Sequence, residues 1–345
     1  LQAACSAARP RPPAIADPGH IERLAGMDTF SVTALEKYVK CPFWYFIDHV
    51  LDPAVHEQPD VSLYRGSIAH AVLCRFHEQM RKAGVVLSRP RDQAQVDEAR
   101  RQMADIIRET FAARERDLAN TMLEVQLGSY LDRYIDRELA CRRRRFEPQD
   151  FEVSFGMEER SGAGKPACGG RNSVPGMLQL GDVKIRGRMD RVDIETDEEG
   201  GMKRGRAVVI DYKTSSSATG YKNFKDKYVL QLPIYIRALR DVFGLEPVGG
   251  EHYALLGDER RGLFLAGHQA SLGAGACGNG DDFLPREEFD HVIDTAVAAV
   301  QDAARGIRSA AFACSPAEEK ICDWCGCQDV CRKEWLAGGG EDDDD

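Results

Sequence analysis

Two runs in the middle of the chain, VKIRGRMDRVDIET (183–196) and RAVVIDYKT (206–214), set charged residues among apolar ones at spacings that could do chemistry. Side chains two apart on a strand point the same way, so Asp211 and Lys213 share a face. If the runs pair as a hairpin across the polar turn DEEGGMKRG, Asp190 is brought beside them. Two carboxylates and a lysine at one sheet edge suit a hard cation such as Mg2+ or Mn2+, with waters and a phosphate completing its shell. The chemistry on offer is phosphodiester hydrolysis. The cation polarises the phosphate and lowers the pKa of a bound water, while the lysine orients that water or offsets charge developing on phosphorus. Taken alone, D-x-K also describes a plain Asp–Lys pair at a strand end.

A second chemistry is concentrated in ICDWCGCQDVCRKEWL (321–336). Cys322, Cys325 and Cys331, with Cys327 between them, can chelate one centre, and a fourth ligand must come from elsewhere. The eleven cysteines are an odd number, and no export signal precedes them. With the C-x-x-C spacing, this points to metal ligation in a reducing compartment rather than to disulfides. Thiolate zinc and iron–sulfur centres both remain open on spacing alone. Cys5, Cys74, Cys141, Cys168, Cys277 and Cys314 have no such partners, and Cys327 could replace Cys325 or Cys331.

The elements that must position these groups read as alternating helices and strands. Residues 1–26 are Pro- and Ala-rich, a flexible leader without the apolar core of a signal peptide. In 29–51, Thr33 and Glu36 form a capping-box pattern, and Pro42 stops the helix just after Cys41, before the aromatic cluster Phe43, Trp44, Tyr45, Phe46. RGSIAHAVLCRFHEQM (65–80) is helical, with Ile68, Val72, Leu73 and Phe76 at helical spacing and His70 among them. Residues from about 92 to 145 read as a charged helical insertion ending in CRRRRF. EVSFGM (152–157) reads as a strand, 161–176 as a Gly-rich loop, and Ala207–Ile210 as a buried central strand. YVLQLPIYIRALRDVFG (228–244) is helical despite Pro233, HYALLG (252–257) is a strand, 269–285 a loop, and 287–307 an amphipathic helix. The tail EDDDD closes 337–345.

The separated motifs, taken together, resemble the PD-(D/E)XK nuclease superfamily in its RecB-like branch: G-S-I-A-H (Gly66 to His70), GRMDRVD with Asp190, IDYKT with Asp211 and Lys213, and QLPIY with Gln231 and Tyr235, in family order from about residue 30 to 336. The resemblance implies a restriction-endonuclease-like fold: a central mixed sheet flanked by helices, within a nuclease domain at 27–336. It also implies roles. His70, Asp190, Asp211 and the backbone carbonyl of Tyr212 would hold the metal; Lys213 would be the catalytic lysine; Gln231 and Tyr235 would help hold a DNA strand. Without the motif, His70 reads as a core histidine and Tyr235 as core. Glu152 is a weaker match for a supporting carboxylate.

In the iron–sulfur subset of this superfamily, which includes AddB-type proteins and CRISPR-adaptation exonucleases, one cysteine precedes the nuclease core and three follow it. Cys41, in KYVKCPFWYF, stands in the first place. The resemblance therefore implies a [4Fe–4S] cluster on Cys41, Cys322, Cys325 and Cys331, clasping the N- and C-terminal segments together, with Cys327 a bystander. It further implies a DNA exonuclease, the nuclease part of a helicase–nuclease acting in double-strand-break repair. A stand-alone exonuclease and a noncatalytic DNA-binding module are the rivals. No Walker A loop is present, so a helicase motor would lie in a partner or in further sequence.

Composition limits other classes. The chain has 345 residues, of which 43% are hydrophobic, enough for a real core. No run is long and apolar enough for a membrane span, which places the chain in the cytoplasm. It opens on Leu1 rather than methionine, as a segment cut from a longer protein would. The net charge of −10 argues against nonspecific coating of nucleic acid. Local phosphate contacts are still expected from Lys184, Arg186, Arg188 and Arg191, and from Lys222, Lys225 and Lys227. The Arg142–Arg145 run reads as a solvated helix end.

Overall fold

The computed structural model describes residues 15–53, 61–89, 92–141, 145–157, 173–196, 202–226, 228–273 and 280–331. Cys5, Cys168, Cys277, Lys227, Arg142–Arg144, most of the Gly-rich loop and the acidic tail lie outside them. In chain order the elements are α1 (Pro18–Ala25), β1 (Thr29–Ser31), α2 (Val32–Lys40), α3 (Pro42–Tyr45), α4 (Val61–Lys82), α5 (Gln93–Ala112), α6 (Leu118–Ala140) and β2 (Phe146–Phe155). They continue with β3 (Leu178–Leu180), β4 (Val183–Thr196), β5 (Met202–Lys213), α7 (Gln231–Asp241), β6 (Glu246–Ala254) and β7 (Glu259–Leu265). The last are α8 (Gln269–Leu272), β8 (Phe283–Leu284), α9 (Arg286–Arg308) and α10 (Gln328–Cys331). Two compact units divide the chain, one made of residues 57–178 and 186–296, the other of 1–56, 179–185 and 297–345.

The larger unit is built on a mixed sheet. β4 pairs antiparallel with both β2 and β5, β5 runs parallel to β6, β6 antiparallel to β7, and β7 parallel to β8. Residues 207–212 of β5 are buried on both faces, as the apolar run requires. Val208, Ile210 and Tyr212 join a core with Ile68, Phe76, Leu131 and Tyr134 from α4 and α6. Near Val209, α7 approaches so closely that a Cβ on Gly250 of β6 would lie 2.8 Å from both Leu232 and Val209. Pro233 is tolerated in α7 because it is the third residue, where the backbone N–H has no intrahelical acceptor.

The smaller unit contains the first residues of β4 and the end of α9. Asp28 O accepts from Lys184 N at 2.7 Å, and Arg308 Nε donates to Met27 O at 2.6 Å. Tyr38 OH donates to Ala311 O at 2.7 Å, and Ala317 N to Lys40 O at 2.9 Å. The rings of Tyr45 and Phe46 stack on Phe312 at 6.1 and 5.3 Å. N- and C-terminal segments thus meet within this unit.

Several boundaries depart from expectation. Within the expected leader, α1 forms, with Pro18 at its start and Asp17 accepting from His20 N at 2.8 Å. Ser31, not Thr33, caps α2, accepting from Ala34 N at 3.3 Å, because β1 already ends at Ser31. β5 begins at Met202, inside the expected turn, since Thr196 pairs with Met202. The expected loop at 269–285 contains α8 and β8.

Candidate functional site

Site residues of the larger unit come from α4, β2, β4, β5, β6 and α7. His70, Glu152 and Asp190 each turn a ligand atom inward, and these atoms all lie within 4.8 Å of one another. His70 Nδ1 is 3.3 Å from Asp190 Oδ1 and 4.0 Å from Glu152 Oε1. The other ring nitrogen, Nε2, is 3.0 Å from the carbonyl oxygen of Tyr212. Asp190 Oδ2 accepts the Tyr212 N–H at 2.8 Å. Sequence reasoning brings His70, Asp190 and the Tyr212 carbonyl to this place, and the structure sets Glu152 among them. Glu152 has φ 50, a left-handed conformation uncommon for a residue with a side chain. Its second oxygen is held by Arg188 Nε at 2.9 Å.

Asp211 and Lys213 lie beside this group on β5. Lys213 Nζ is 2.6 Å from Asp211 Oδ2 and donates to Gln231 Oε1 at 2.8 Å. Gln231 Nε2 in turn donates to Tyr235 OH at 3.4 Å. Tyr235 is buried, its ring edge-on to Phe155 at 6.0 Å, so it touches the site through Gln231 rather than facing an open groove. Gly187 fits beneath those rings, where a Cβ would lie 2.8 Å from Phe155 and 2.9 Å from Tyr235. One residue that the motifs did not single out also faces the site. His252, opposite Asp211 in the parallel β5–β6 register, brings Nε2 to 3.8 Å from Asp211 Oδ2.

Electrostatics favour a cation here. Burial raises the Glu152 pKa, and the neighbouring Asp190 charge raises it further. Burial also acts to raise that of Asp190, but the His70 and Lys213 charges and the Tyr212 N–H hold it below the usual carboxylate range. Burial opposes charging of His70, yet Asp190, Glu152 and Asp211 prevail and push its pKa up to about 9. Carboxylates, an imidazole and a carbonyl form an oxygen-rich donor set that fits Mg2+ or Mn2+.

The basic residues divide by strand face. Arg186 and Arg188 are exposed on the same alternating set of β4 as Asp190. Arg191 falls on the opposite set and is 0% exposed, which removes it from any phosphate contact. Lys184 pairs with Asp28 at 2.6 Å, and Lys222 with Asp281 at 3.0 Å.

In the smaller unit the thiols gather. Cys41, Phe43 and Cys327 are buried together, with Cys314, Cys325 and Cys331 packed against them beside Trp44, Phe46 and Ile47. Cys41 caps the end of α2, as expected. Cys322 is half-buried on the turn Glu319–Trp324, outside that packed set. Cys314, given no ligand role, and Cys327, the alternative to Cys325 or Cys331, are in it. Burial and neighbouring thiols push both up to about 12, and burial raises Cys41 also.

A mixed sheet flanked by helices, with carboxylates, histidine and lysine converging at β4 and β5, defines a metal-dependent nuclease fold. Residues 29–332 match the PD-(D/E)XK nuclease superfamily, and the chain belongs to it. Its relatives include proteins named as a subunit of an ATP-dependent helicase/deoxyribonuclease. That of Moorella thermoacetica is 25% identical over 87% of this chain and 30% of its own length. That of Symbiobacterium thermophilum is 31% identical over 63% of this chain and 18% of its own length, and that of Desulforudis audaxviator 28% over 62% and 18%. The chain thus spans less than a third of the curated relatives it matches. Among the described residues, no helix is long and apolar enough to cross a membrane.

Proposed function

We propose that this chain is the DNA-degrading portion of a helicase–nuclease, an exonuclease that hydrolyses phosphodiester bonds during processing of double-strand breaks. The observation that carries the proposal is the convergence of His70, Glu152 and Asp190 beside the Asp211–Lys213–Gln231 chain. His70, Glu152, Asp190, Asp211 and the Tyr212 carbonyl would hold Mg2+ or Mn2+. When bound, such a cation polarises the phosphate and acidifies a water. Lys213, held between Asp211 and Gln231, keeps an ammonium where charge grows on phosphorus or where a water must be aimed. Tyr235 fixes Gln231, and the exposed Arg186 and Arg188 add sequence-independent phosphate affinity. The names of the relatives support DNA as substrate and a helicase as partner.

For the thiols, the reading is a [4Fe–4S] cluster on Cys41, Cys322, Cys325 and Cys331. Cys41 meeting Cys325 and Cys331 within the unit supports three of these four ligands.

The test is incubation of anaerobically purified protein with end-labelled single- and double-stranded DNA, with Mg2+, Mn2+ or EDTA. Metal-dependent loss of nucleotides from the ends, abolished by Lys213→Ala, is the expected result. DNA binding without cleavage in either metal refutes it. A brown protein that loses colour and iron in Cys322→Ser is expected for the cluster; a colourless, zinc-loaded protein refutes that part alone.

A further inference from the structure

A buried ionic network lies on the opposite side of β4 from Asp190, and the hydrolytic reading does not use it. Arg191 meets Asp193 as a fork, Nε to Oδ1 at 2.6 Å and Nη2 to Oδ2 at 2.7 Å. Nη2 also reaches Glu138 Oε2 at 3.0 Å, and Nη1 donates to Tyr134 OH at 2.7 Å, with Tyr212 OH at 3.4 Å. The two phenols are 2.9 Å apart, and His77 Nε2 also meets that of Tyr134. Beyond Glu138, Arg260 Nη1 lies at 3.1 Å and bonds onward to Glu251. Burying such charges costs several kcal/mol per ion, and apolar residues of the same volume often serve stability as well. Stability alone therefore gives no reason for an arginine here.

What the network grips is Tyr212. Asp190 and Arg191 are consecutive residues pointing to opposite faces of β4, and both hold this one residue. Asp190 takes its backbone N–H at 2.8 Å; Arg191 and Tyr134 take its hydroxyl. The Tyr212 carbonyl faces His70 Nε2 at 3.0 Å, and Asp211 and Lys213 flank it in the chain. A small rotation of Tyr212 would shift the carbonyl, the carboxylate and the ammonium together, and displacements near 1 Å can cost about 100-fold in rate.

We infer that Arg191, through Tyr134 and Tyr212 and braced by Glu138 and Asp193, is a positioning residue that sets the geometry of the metal site from the far side of the sheet. The inference rests on the hydrolytic reading above. Its test compares Arg191→Met, Arg191→Lys, Tyr134→Phe and Tyr212→Phe with wild type by three measures: Mn2+ affinity from electron paramagnetic resonance, kcat and KM on end-labelled DNA, and thermal melting. Arg191→Met is expected to weaken Mn2+ binding at least about tenfold, in the range found when groups supporting metal ligands are removed, and to lower kcat with KM little changed. Arg191→Lys is expected to give no rescue, because an ammonium cannot reproduce the fork. Met103→Ala, in the α5 core, is the control expected to lower the melting temperature while leaving Mn2+ affinity alone. Should the Arg191 variants fail to fold, the two phenylalanine variants, each deleting one hydroxyl, carry the test, with a several-fold loss of Mn2+ affinity expected. Wild-type affinity and kcat in both phenylalanine variants overturn the inference while leaving hydrolysis intact. Wild-type protein that binds no Mn2+ and cuts no DNA overturns the hydrolytic reading and the inference with it.

Discussion

Metal binding should expel a proton from His70, and the size of the effect follows from its surroundings. Burial opposes the charged ring, but Asp190, Glu152 and Asp211 push its pKa up to about 9 in the metal-free site. At pH 7 a group with that pKa is protonated about a hundred to one. A cation that takes an imidazole nitrogen must displace this proton, so the apparent affinity at pH 7 lies about 100-fold, or ~2.7 kcal/mol, below its value well above pH 9. Between pH 7 and pH 8 the affinity should rise about tenfold. Calorimetric titration with Mn2+ in buffers of different ionisation enthalpy counts the protons directly, with about one released at pH 7. His70→Gln should remove both the release and the slope. Glu152, also raised, is separated by Glu152→Gln, which should keep the histidine's proton. A wild-type affinity that is flat from pH 7 to pH 8, with no protons released, would refute either the protonation of His70 or its part as a ligand.

The same shift acts on stability. Because the folded pKa lies above the ordinary value, His70 stabilises the metal-free fold fully below pH ~6.5, and the contribution is lost as pH rises through about 9. The metal-free melting temperature should fall over that window, and saturating Mn2+ should flatten the fall. Gly187→Ala should destabilise by about 1–3 kcal/mol in chemical denaturation and reduce cleavage, since the new Cβ would lie 2.8 Å from Phe155 and 2.9 Å from Tyr235. Gln231→Ala should lower kcat more than DNA affinity, because it frees Lys213 from its neutral partner; an unchanged kcat would count against that role.

Period-two alternation made the central strands legible, and β4 spans the residues its pattern delimits, Val183–Thr196. The same alternation, applied to Arg191, would have placed it on the apolar side with Met189 rather than beside Arg186 and Arg188. Basic character alone does not reveal the face. Glu152 was less accessible to pattern, because its left-handed backbone lies inside β2 and no periodicity announces it. His252 reaches Asp211 through a parallel register between strands far apart in sequence, and a single sequence does not specify that pairing. The thiols divide similarly. Close spacing singled out Cys322, Cys325 and Cys331, of which Cys325 and Cys331 join the packed group, whereas Cys314 enters it by tertiary folding.

On the proposed reading, the chain offers metals two donor sets of opposite character. At β4 and β5 the donors are carboxylates, an imidazole and a carbonyl, which favour hard divalent ions. In the smaller unit they are sulfurs among aromatic rings, which favour iron–sulfur or zinc. Softness sorts the metals even where raw affinity would not. Protons reinforce the sorting. Burial and neighbouring thiols hold Cys314 and Cys327 neutral up to about 12, and burial raises Cys41, so near neutral pH these thiols stay protonated unless a centre supplies positive charge. A hydrated Mg2+ has little affinity for a neutral thiol, and the oxygen site offers no sulfur to a soft metal. Loading one site should thus leave the other's occupancy unchanged, and Lys213→Ala protein should retain its full iron content while losing cleavage.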